Sequence, residues 1–450
     1  MIIRTIVLLL ALSISLWGKS RPFMLHDISR YLKEENPFYY RAIGEQFIQK
    51  ASLDAAYGVT DLQLNATHDD KRYAITKGEY QSASLTKNLL NGTSLSVGYR
   101  RAQGLQEYNN IITGPDGEII AGVSLSLFSL INNMSKNKAD IENAKLRYLS
   151  SQSQTQLNLL DLKFNLGKLY YQTRLAYTLY SLEKALLQKA RRSQRFIAKK
   201  IQNGILPKSA SIEIEQLILQ RQIRVTEAHN RFIQIENLLI QYLGLTPDRF
   251  HQYYRITPLH ATIPTPPSKK SLYEDALRSR PELTLNRYEA SRIELQQRYN
   301  ELSAYGDLTV GLRGNYDMRY KEGYKTSLNY AIPIERSYYK GTKEALKLKK
   351  ILNENKRIAR ISELKTTINN LYVAHTQLKK GLDYLQKELQ RAIRLEKIET
   401  RKLLEGVGSL IFVNQREINT LLIRQKIAQY RFDLQVNRLE MNYYGGELSF

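Results

Sequence analysis

Residues 347–404 constrain this chain most, because nearly sixty consecutive positions contain no proline and only one glycine, Gly381. Apolar residues in this run follow a 3-4 spacing, with His375 as a polar exception. The seam consists of Ile361, Leu364, Ile368, Leu371, Leu378, Leu382, Leu385 and Leu389. Such a heptad pattern predicts a helix wound against other helices. At 1.5 Å per residue it would be about 90 Å long, which no ordinary globular core needs. We therefore predict helices that bridge a distance.

Other segments predict helices that match this one in length. Residues 133–202 form a second long run in which Gly167 is the only helix breaker. Shorter helices are expected at residues 25–57, 209–242, 271–302 and 409–444. In each half of the chain, the two shorter helices together are about as long as the long helix. Two short helices stacked end to end beside each long one would build a wall of uniform height.

Two regions change from helical periodicity to alternation of apolar and polar residues. The pattern is clearest in residues 307–320, where Leu308, Val310 and Leu312 lie on one face and charged or polar residues lie on the other. Similar alternation occurs in residues 61–67, 94–100, 121–127 and 325–332. A soluble hairpin packed on a core would also alternate. The strand at residues 307–320 favours a lipid-facing barrel with a wet interior. It is longer than ten residues, it has tyrosines at its far end and its polar face is charged.

The number of strands in the first half is either two or four, because each half must leave and return to the same side of a membrane. Residues 80–100 alternate as well, with a tight turn at Asn91-Gly92. We predict two wall strands in each half, with residues 80–100 as an added hairpin outside the wall. One chain cannot close a barrel from so few strands, and an open sheet edge is not viable in lipid. The sequence therefore predicts an obligate oligomer whose copies close one barrel together.

The N-terminus resembles an export signal, with Arg4 followed by an apolar run at residues 6–17 that is too short for a lasting anchor. We assign residues 1–20 to the signal without choosing a cleavage site. The 450-residue chain has no cysteine, which excludes disulfides and thiolate metal sites. Its net charge of +24 is spread over every segment, so we interpret it mainly as a solvated surface, with some affinity for anionic lipid or permeants.

The chain repeats its own pattern. Gly204 lies 40 residues before Gly244, and Gly406 lies 40 residues before Gly446. Each half is predicted to run helix, strands, long helix, tight glycine turn and helix. We therefore assign residues 21–244 to a first repeat, 245–270 to a proline-rich linker and 271–450 to a second repeat.

These features together resemble the TolC-like outer-membrane efflux channels. The residues that carry the resemblance are Asn36-Pro37, Arg280-Pro281-Glu282-Leu283, Asn203-Gly204-Ile205, Glu405-Gly406-Val407 and Leu243-Gly244. No single motif is specific, but their order and spacing are. The resemblance implies a mainly α-helical fold with a β-barrel portion: a homotrimer with a long antiparallel coiled-coil tunnel through the periplasm and a transmembrane barrel in outer-membrane lipid. It implies a conduit without catalysis or cofactor that docks onto a periplasmic adaptor protein and, through it, an inner-membrane pump.

The resemblance also identifies candidate site residues. Adaptor docking is expected at the hairpin tips, at Gly204, Ile205, Gly406 and Val407. In the family, carboxylates six and nine residues past the second tip glycine often close the periplasmic end. Those positions here are Phe412 and Gln415, and the matching stretch of the first tip has Ser209 and Ala210. The nearest carboxylate, Glu417, lies two residues further along. We therefore expect a gate closed by packing of Phe412 rather than by charge, unless Phe412 turns into a neighbouring helix.

Other functions explain less of the sequence. An exported coiled-coil scaffold explains the heptads but neither the signal nor the strands, and a nucleic-acid binder explains only the charge. An exported enzyme would need a convergent site, but the six histidines are scattered and no nucleophile elbow or phosphate loop occurs. His375 is interpreted as a polar residue tolerated in the seam rather than a metal ligand. Within the family, the alternative to an efflux duct is an exit duct for protein secretion.

Overall fold

The computed structural model describes residues 20–72, 74–75, 77–104, 113–259 and 262–448. The predicted signal peptide lies outside the described residues apart from Ser20, and so does His260. All the helices and strands predicted from the sequence lie within the described ranges.

The helices are α1 (Pro37–Tyr57), α2 (Leu127–Ile131), α3 (Lys136–Gln202), α4 (Ser209–Tyr242), α5 (Pro247–Tyr253), α6 (Lys269–Ser279), α7 (Pro281–Ser303), α8 (Ser337–Leu404) and α9 (Leu410–Tyr444). The long helices α3 and α8 have 67 and 68 residues, so each is about 100 Å long. The prediction of two matched long helices is confirmed, and α8 begins ten residues before the predicted run. None of the described helices has an apolar stretch sufficient to cross a membrane.

The two predicted first helices are each interrupted, which corrects the prediction of continuous helices at residues 25–57 and 271–302. Residues Leu25–Tyr31 form a separate 3-10 helix, and α1 begins only at Pro37. The Asn36 side chain accepts a hydrogen bond of 2.9 Å from the Phe38 amide, so it caps the start of α1. In the second half, Arg280 has an extended backbone between α6 and α7 because Pro281 disfavours the helical conformation in the residue before it.

The strands are β1 (Arg21–Pro22), β2 (Leu62–Arg72), β3 (Lys77–Asn88), β4 (Thr93–Gly104), β5 (Glu118–Ser126), β6 (Tyr254–Arg255), β7 (Asp307–Asp317) and β8 (Lys321–Ala331). Short β1 and β6 pair with each other in parallel. The other six form one antiparallel sheet in the order β2-β3-β4-β5-β7-β8. The turn between the last two strands lies between Asp317 and Lys321.

The prediction of two wall strands in the first half is wrong. The first half contributes four strands to the sheet, and β3 and β4 lie between β2 and β5 rather than outside the wall. Alternation is weak in β3 because small residues, among them Ser82, Ala83 and Ser84, occupy both of its faces. A strand whose two faces differ little in hydrophobicity has no clear period of two, so its place in the sheet could not be inferred from the pattern.

The two faces of the sheet differ in chemistry and in exposure. One face carries exposed apolar side chains from all six strands: Leu64, Leu85, Val97, Ile119, Leu312 and Leu328. The opposite face carries mainly small or polar residues, and Ser84, Ser96 and Gly122 on it are half-buried. In a sheet packed on a soluble core the apolar face would be the covered one. Here the apolar face is the more exposed of the two.

By internal packing the chain divides into two compact units. Unit 1 consists of Met1–Ile43, Gln156–Arg280 and Ile361–Phe450, and unit 2 of Gly44–Thr155 and Pro281–Arg360. Unit 2 contains the six-stranded sheet. Each unit draws segments from both predicted repeats, so the units do not coincide with the repeats.

The predicted linker at residues 245–270 is well packed within unit 1. It contains α5 and β6. Phe250 and Tyr254 are buried in the same cluster as Phe23, and the ring centroids of Phe23 and Phe250 are 5.3 Å apart. This cluster anchors the linker to the N-terminal end of the described chain.

Two of the residues that precede helix-starting prolines make the same kind of contact in unit 1. The Asn36 amide donates a hydrogen bond of 3.0 Å to the Tyr242 carbonyl near the end of α4. The Arg280 guanidinium donates one of 2.7 Å to the Tyr443 carbonyl near the end of α9. Arg280 is also stacked 4.7 Å from the Tyr443 ring. Both contacts bring a side-chain donor to a carbonyl in the last turn of a helix, where carbonyls lack an intrahelical partner. The Tyr443 carbonyl also accepts a hydrogen bond of 3.1 Å from the Gly446 amide.

Candidate functional site

The candidate docking site lies at the turns that end the two long helices. Gly204 after α3 has φ +71°, and Gly406 after α8 has φ +84°. The Ile205 amide bonds the Lys200 carbonyl at 2.9 Å, and the Val407 amide bonds the Lys402 carbonyl at 3.1 Å. These are the bonds of a Schellman turn, which needs a left-handed residue at this point. The glycines predicted from spacing therefore occupy equivalent positions in two equivalent turns.

The structure brings the two tips into contact. A Cβ atom at Gly406 would lie 3.4 Å from the Ile205 side chain, and a Cβ at Gly204 would meet nothing within 4 Å. Ile205 is 47% exposed and Val407 is 78% exposed. Two adjacent tips thus present small residues and uncovered apolar side chains, which suits close approach of a partner.

A hydrophobic cluster behind the tips joins the two hairpins. It consists of Leu187, Ala190, Ile197, Ala210, Ile214, Ile218, Leu403, Leu410 and Val413. These residues come from α3, α4, α8 and α9, so the ends of all four helices share one core. Ala210, one of the four predicted gate residues, belongs to this core and is buried in the single chain.

The other three predicted gate residues face solvent in the single chain. Ser209 and Gln415 are exposed, and Phe412 is 58% exposed. Val413 and Glu417, by contrast, are buried on the opposite side of α9. Phe412 therefore contributes little to the packing of its own chain and is available to face an axis or another copy.

A charged network lies further from the tips and crosses the four helices. The Arg221 guanidinium on α4 donates hydrogen bonds of 2.7 Å to Glu417 and 2.7 Å to Asn414, both on α9. Lys189 on α3 lies 3.2 Å from the other oxygen of Glu417 and also contacts Glu396 on α8. We call Lys189, Arg221, Glu396 and Glu417 the latch cluster.

The central ion pair of the latch cluster is buried, unlike an ordinary ion pair on a protein surface. Arg221 and Glu417 are only 3% and 5% exposed. Arg221 also donates a hydrogen bond of 3.1 Å to the Leu186 carbonyl on α3. Removing one member of such a buried pair typically costs about 3–5 kcal/mol, because the other charge is left without a partner. The cluster therefore couples the two hairpins strongly while both charges are present.

Reasoning from the sequence found Glu417 but missed its partners Arg221 and Lys189. A signal was present in α4, because Arg221 continues the apolar 3-4 seam of Ile214 and Ile218. A charge at a seam position implies a buried partner on a facing helix. The partner itself could not be read from the sequence, since about 200 residues separate Arg221 from Glu417.

His375 in the seam of α8 is buried, and its Nδ1 atom lies 3.2 Å from Asn437 Oδ1 on α9. The Asn437 amide donates to the Leu371 carbonyl at 3.0 Å. Asn437 is therefore the hydrogen-bond partner of His375, which agrees with its interpretation as a polar residue tolerated in the seam. In the described part of the chain, no group of three or more His, Asp or Glu side chains could hold a metal ion.

Comparison with known proteins gives matches in structure only. No family model and no curated protein matches the sequence. The outer membrane protein VceC of Vibrio cholerae has 13% identity and a TM-score of 0.70, with 94% of this chain and 96% of that chain covered. The open state of the MtrE outer membrane channel of Neisseria gonorrhoeae has 13% identity and a TM-score of 0.72, with 94% and 88% covered. The CmeC outer membrane channel of Campylobacter jejuni has 14% identity and a TM-score of 0.69, with 94% and 85% covered.

Each of these three structures matches 94% of this chain. The chain therefore has the fold of the TolC-like outer-membrane channels.

Proposed function

We propose that this protein is the outer-membrane exit duct of a tripartite efflux system. As a passive trimeric channel, it would conduct substrates from an inner-membrane pump through the periplasm and across the outer membrane. The observation that carries this proposal is the sheet of unit 2, whose apolar face is exposed and whose polar face is half-buried in the four central strands β3, β4, β5 and β7. That arrangement suits a wall with lipid outside and water inside.

The helical hairpins support the periplasmic part of the proposal. Helices about 100 Å long can bridge a wide aqueous gap. The adjacent tips, with Gly204, Ile205, Gly406 and Val407, would dock onto a periplasmic adaptor protein. Uncovered apolar side chains at a tip favour binding to another protein over binding to solvent.

The latch cluster supports a refinement of the gate predicted from sequence. We propose that the exposed side chains of Phe412, Gln415 and Ser209 narrow the periplasmic end of the trimer. The latch cluster would keep the hairpins in that closed arrangement. Opening would then require the hydrogen bond between Arg221 and Glu417 to break. An apolar constriction predicts little leak and weak block by divalent cations, and Phe412→Ala should raise single-channel conductance.

The test of the function is conductance together with efflux. The purified protein should run as a trimer in mild detergent and form ion-conducting channels in planar bilayers. Deletion of the gene should sensitise its host to pump substrates, and the intact chain should restore resistance. A monomer that does not conduct, or a host whose sensitivity is unchanged, would refute the proposal.

A protein-secretion exit duct remains the alternative, because the tunnel itself carries little information on cargo. Affinity purification of the cross-linked complex distinguishes the two. Recovery of a pump that exports small molecules supports efflux, whereas recovery of a dedicated protein exporter supports secretion.

A further inference from the structure

The six-stranded sheet ends in two strands that each have a neighbour on one side only within the described chain, β2 and β8. Both strands contain 11 residues and both are exposed along most of their length. In lipid, a row of unpaired backbone groups on such an edge is strongly unfavourable. The inference about how these two edges meet rests on the proposed trimeric channel.

The direction of the strands allows the edges of neighbouring copies to pair. All five strand pairs in the sheet are antiparallel. Because the sheet has an even number of strands, β2 and β8 run in opposite directions. If copies are arranged head to tail, β8 of one copy is antiparallel to β2 of the next, so the ladder continues without a change of pattern.

The stagger of the sheet limits the register of that pairing. The pairs Leu62–Lys87, Lys87–Leu95, Leu95–Val123, Val123–Leu312 and Leu312–Thr326 form one continuous row. This row starts at the first residue of β2 and ends at the middle of β8. The middle of β2, Thr67, therefore lies five residues beyond the row. We define the shift between copies as the number of residues from the partner's Leu62 to the residue that lies opposite Thr326. This shift must be even, because an odd shift would place apolar residues on the polar face. Four and six are the even shifts nearest to the stagger.

A six-residue shift matches the side chains on both faces. It places Thr326 opposite the partner's His68, and Leu328 and Tyr330 opposite the partner's Ala66 and the partner's Leu64. On the polar face, Ser327 meets the partner's Thr67. Two pairs of opposite charges also form, because Lys325 faces the partner's Asp69 and Glu322 faces the partner's Arg72.

A four-residue shift is less favourable. It would place Glu322 opposite the partner's Asp70, and like charges directly opposite each other destabilise a sheet. The strand tilt gives the same answer. A shift of four corresponds to a tilt of about 25°, whereas six corresponds to about 35°, within the range of closed barrels.

We propose that β8 of each copy pairs with β2 of the next in the six-residue register, so that three copies close an eighteen-stranded barrel. The hairpin of β3 and β4 is then part of the wall and widens it. Barrel geometry gives a backbone diameter of roughly 35 Å, a size that leaves an aqueous channel. The inner face would carry small residues such as Ser84 and Ser96 together with charged residues such as Arg100, Arg313 and Lys325.

Disulfide trapping can test this register because the natural chain has no cysteine. One cysteine is placed by Thr67→Cys and combined with either Ser327→Cys or Lys325→Cys. The six-residue register puts Ser327 directly opposite the partner's Thr67, and the four-residue register puts Lys325 there. Directly opposite residues are within disulfide range, whereas diagonal neighbours lie at or beyond it.

We expect mild oxidation to convert the Thr67→Cys, Ser327→Cys chain to a covalent trimer with three times the mass of one chain. The Thr67→Cys, Lys325→Cys chain and the single-cysteine chains should remain monomers on a denaturing gel. Preferential linking of the Lys325 variant would overturn the register, and no linking in a conducting trimer would overturn the edge pairing. Failure of the cysteine-free chain to form trimers or conduct would refute the proposed function as well.

Discussion

The Arg221 guanidinium donates a hydrogen bond of 2.7 Å to Glu417, and this pair holds α4 of the first hairpin to α9 of the second. Lys189 and Glu396 extend the contact to the two long helices. Both hairpins are therefore joined by charge as well as by the apolar cluster behind the tips. A connection of this kind is strong when complete and weak when one charge is removed.

Glu417→Gln should therefore loosen the hairpins. The change keeps the shape of the side chain but leaves Arg221 buried without a counter-charge, at a cost of about 3–5 kcal/mol. We expect a higher single-channel conductance in planar bilayers and a lower melting temperature. Glu354→Gln is the control, because Glu354 pairs with Arg357 on its own helix and is exposed. A lower melting temperature with unchanged conductance would show that the cluster is structural only.

Substitution of Gly406 should separate the docking role of the tip from its role in the turn. Gly406→Ala and Gly406→Trp both place a side chain at φ +84°, a left-handed conformation that costs about 1–2 kcal/mol. Only tryptophan adds bulk at the surface where a partner would approach. We expect the tryptophan variant to lose efflux while its trimer yield matches that of the alanine variant. Loss of trimers in the tryptophan variant alone would indicate a purely structural role.

Gly381 in α8 should resist replacement although alanine is the better helix former. A Cβ at Gly381 would overlap the ring of Tyr430 on α9, whereas a Cβ at Gly341 in the same helix meets nothing within 4 Å. Gly341→Ala should stabilise the protein by about 1 kcal/mol through helix propensity. Gly381→Ala should lower the melting temperature because the two helices must move apart. Equal shifts in the two variants would mean that α9 adapts freely.

Glu236 on α4 should make stability depend on pH. Burial raises the pKa of its carboxyl group from the ordinary 4.5 to about 7. The folded state then holds a proton that the unfolded state releases above pH 4.5, so stability falls as the pH rises from about 4.5 to about 7 and stays lower above that. Glu236→Gln should be less sensitive to pH and more stable than the natural chain at pH 8. Melting temperatures of both chains at pH 5 and pH 8 test this, and parallel curves would contradict it.

His375 and Asn437 should show strong coupling. His375→Leu leaves the Asn437 oxygen buried without its partner, at a cost of about 1–3 kcal/mol. The double variant with Asn437→Leu removes both polar groups, so we expect it to lose less stability than the sum of the two single changes. Additive losses in a double-mutant cycle of denaturant unfolding would show that the contact contributes little.

Much of the secondary structure follows from the sequence alone. The proline-free heptad run predicts α8, and Gly204 and Gly406 predict the two helix ends. These features depend on local backbone preferences and on the period of apolar residues, both of which a single chain displays. Where local signals were weak, as in β3 with small residues on both faces, the prediction failed.

Only the tertiary structure decided which distant residues meet. The sequence showed Gly167 and Gly381 as weak points in long helices, but their packing against Leu439 and Tyr430 explains why glycine is there. It likewise showed a charge in an apolar seam at Arg221 without showing that Glu417 neutralises it. Contacts between residues far apart in the chain depend on the relative placement of whole helices and strands, and that placement is set by the packing of many side chains at once.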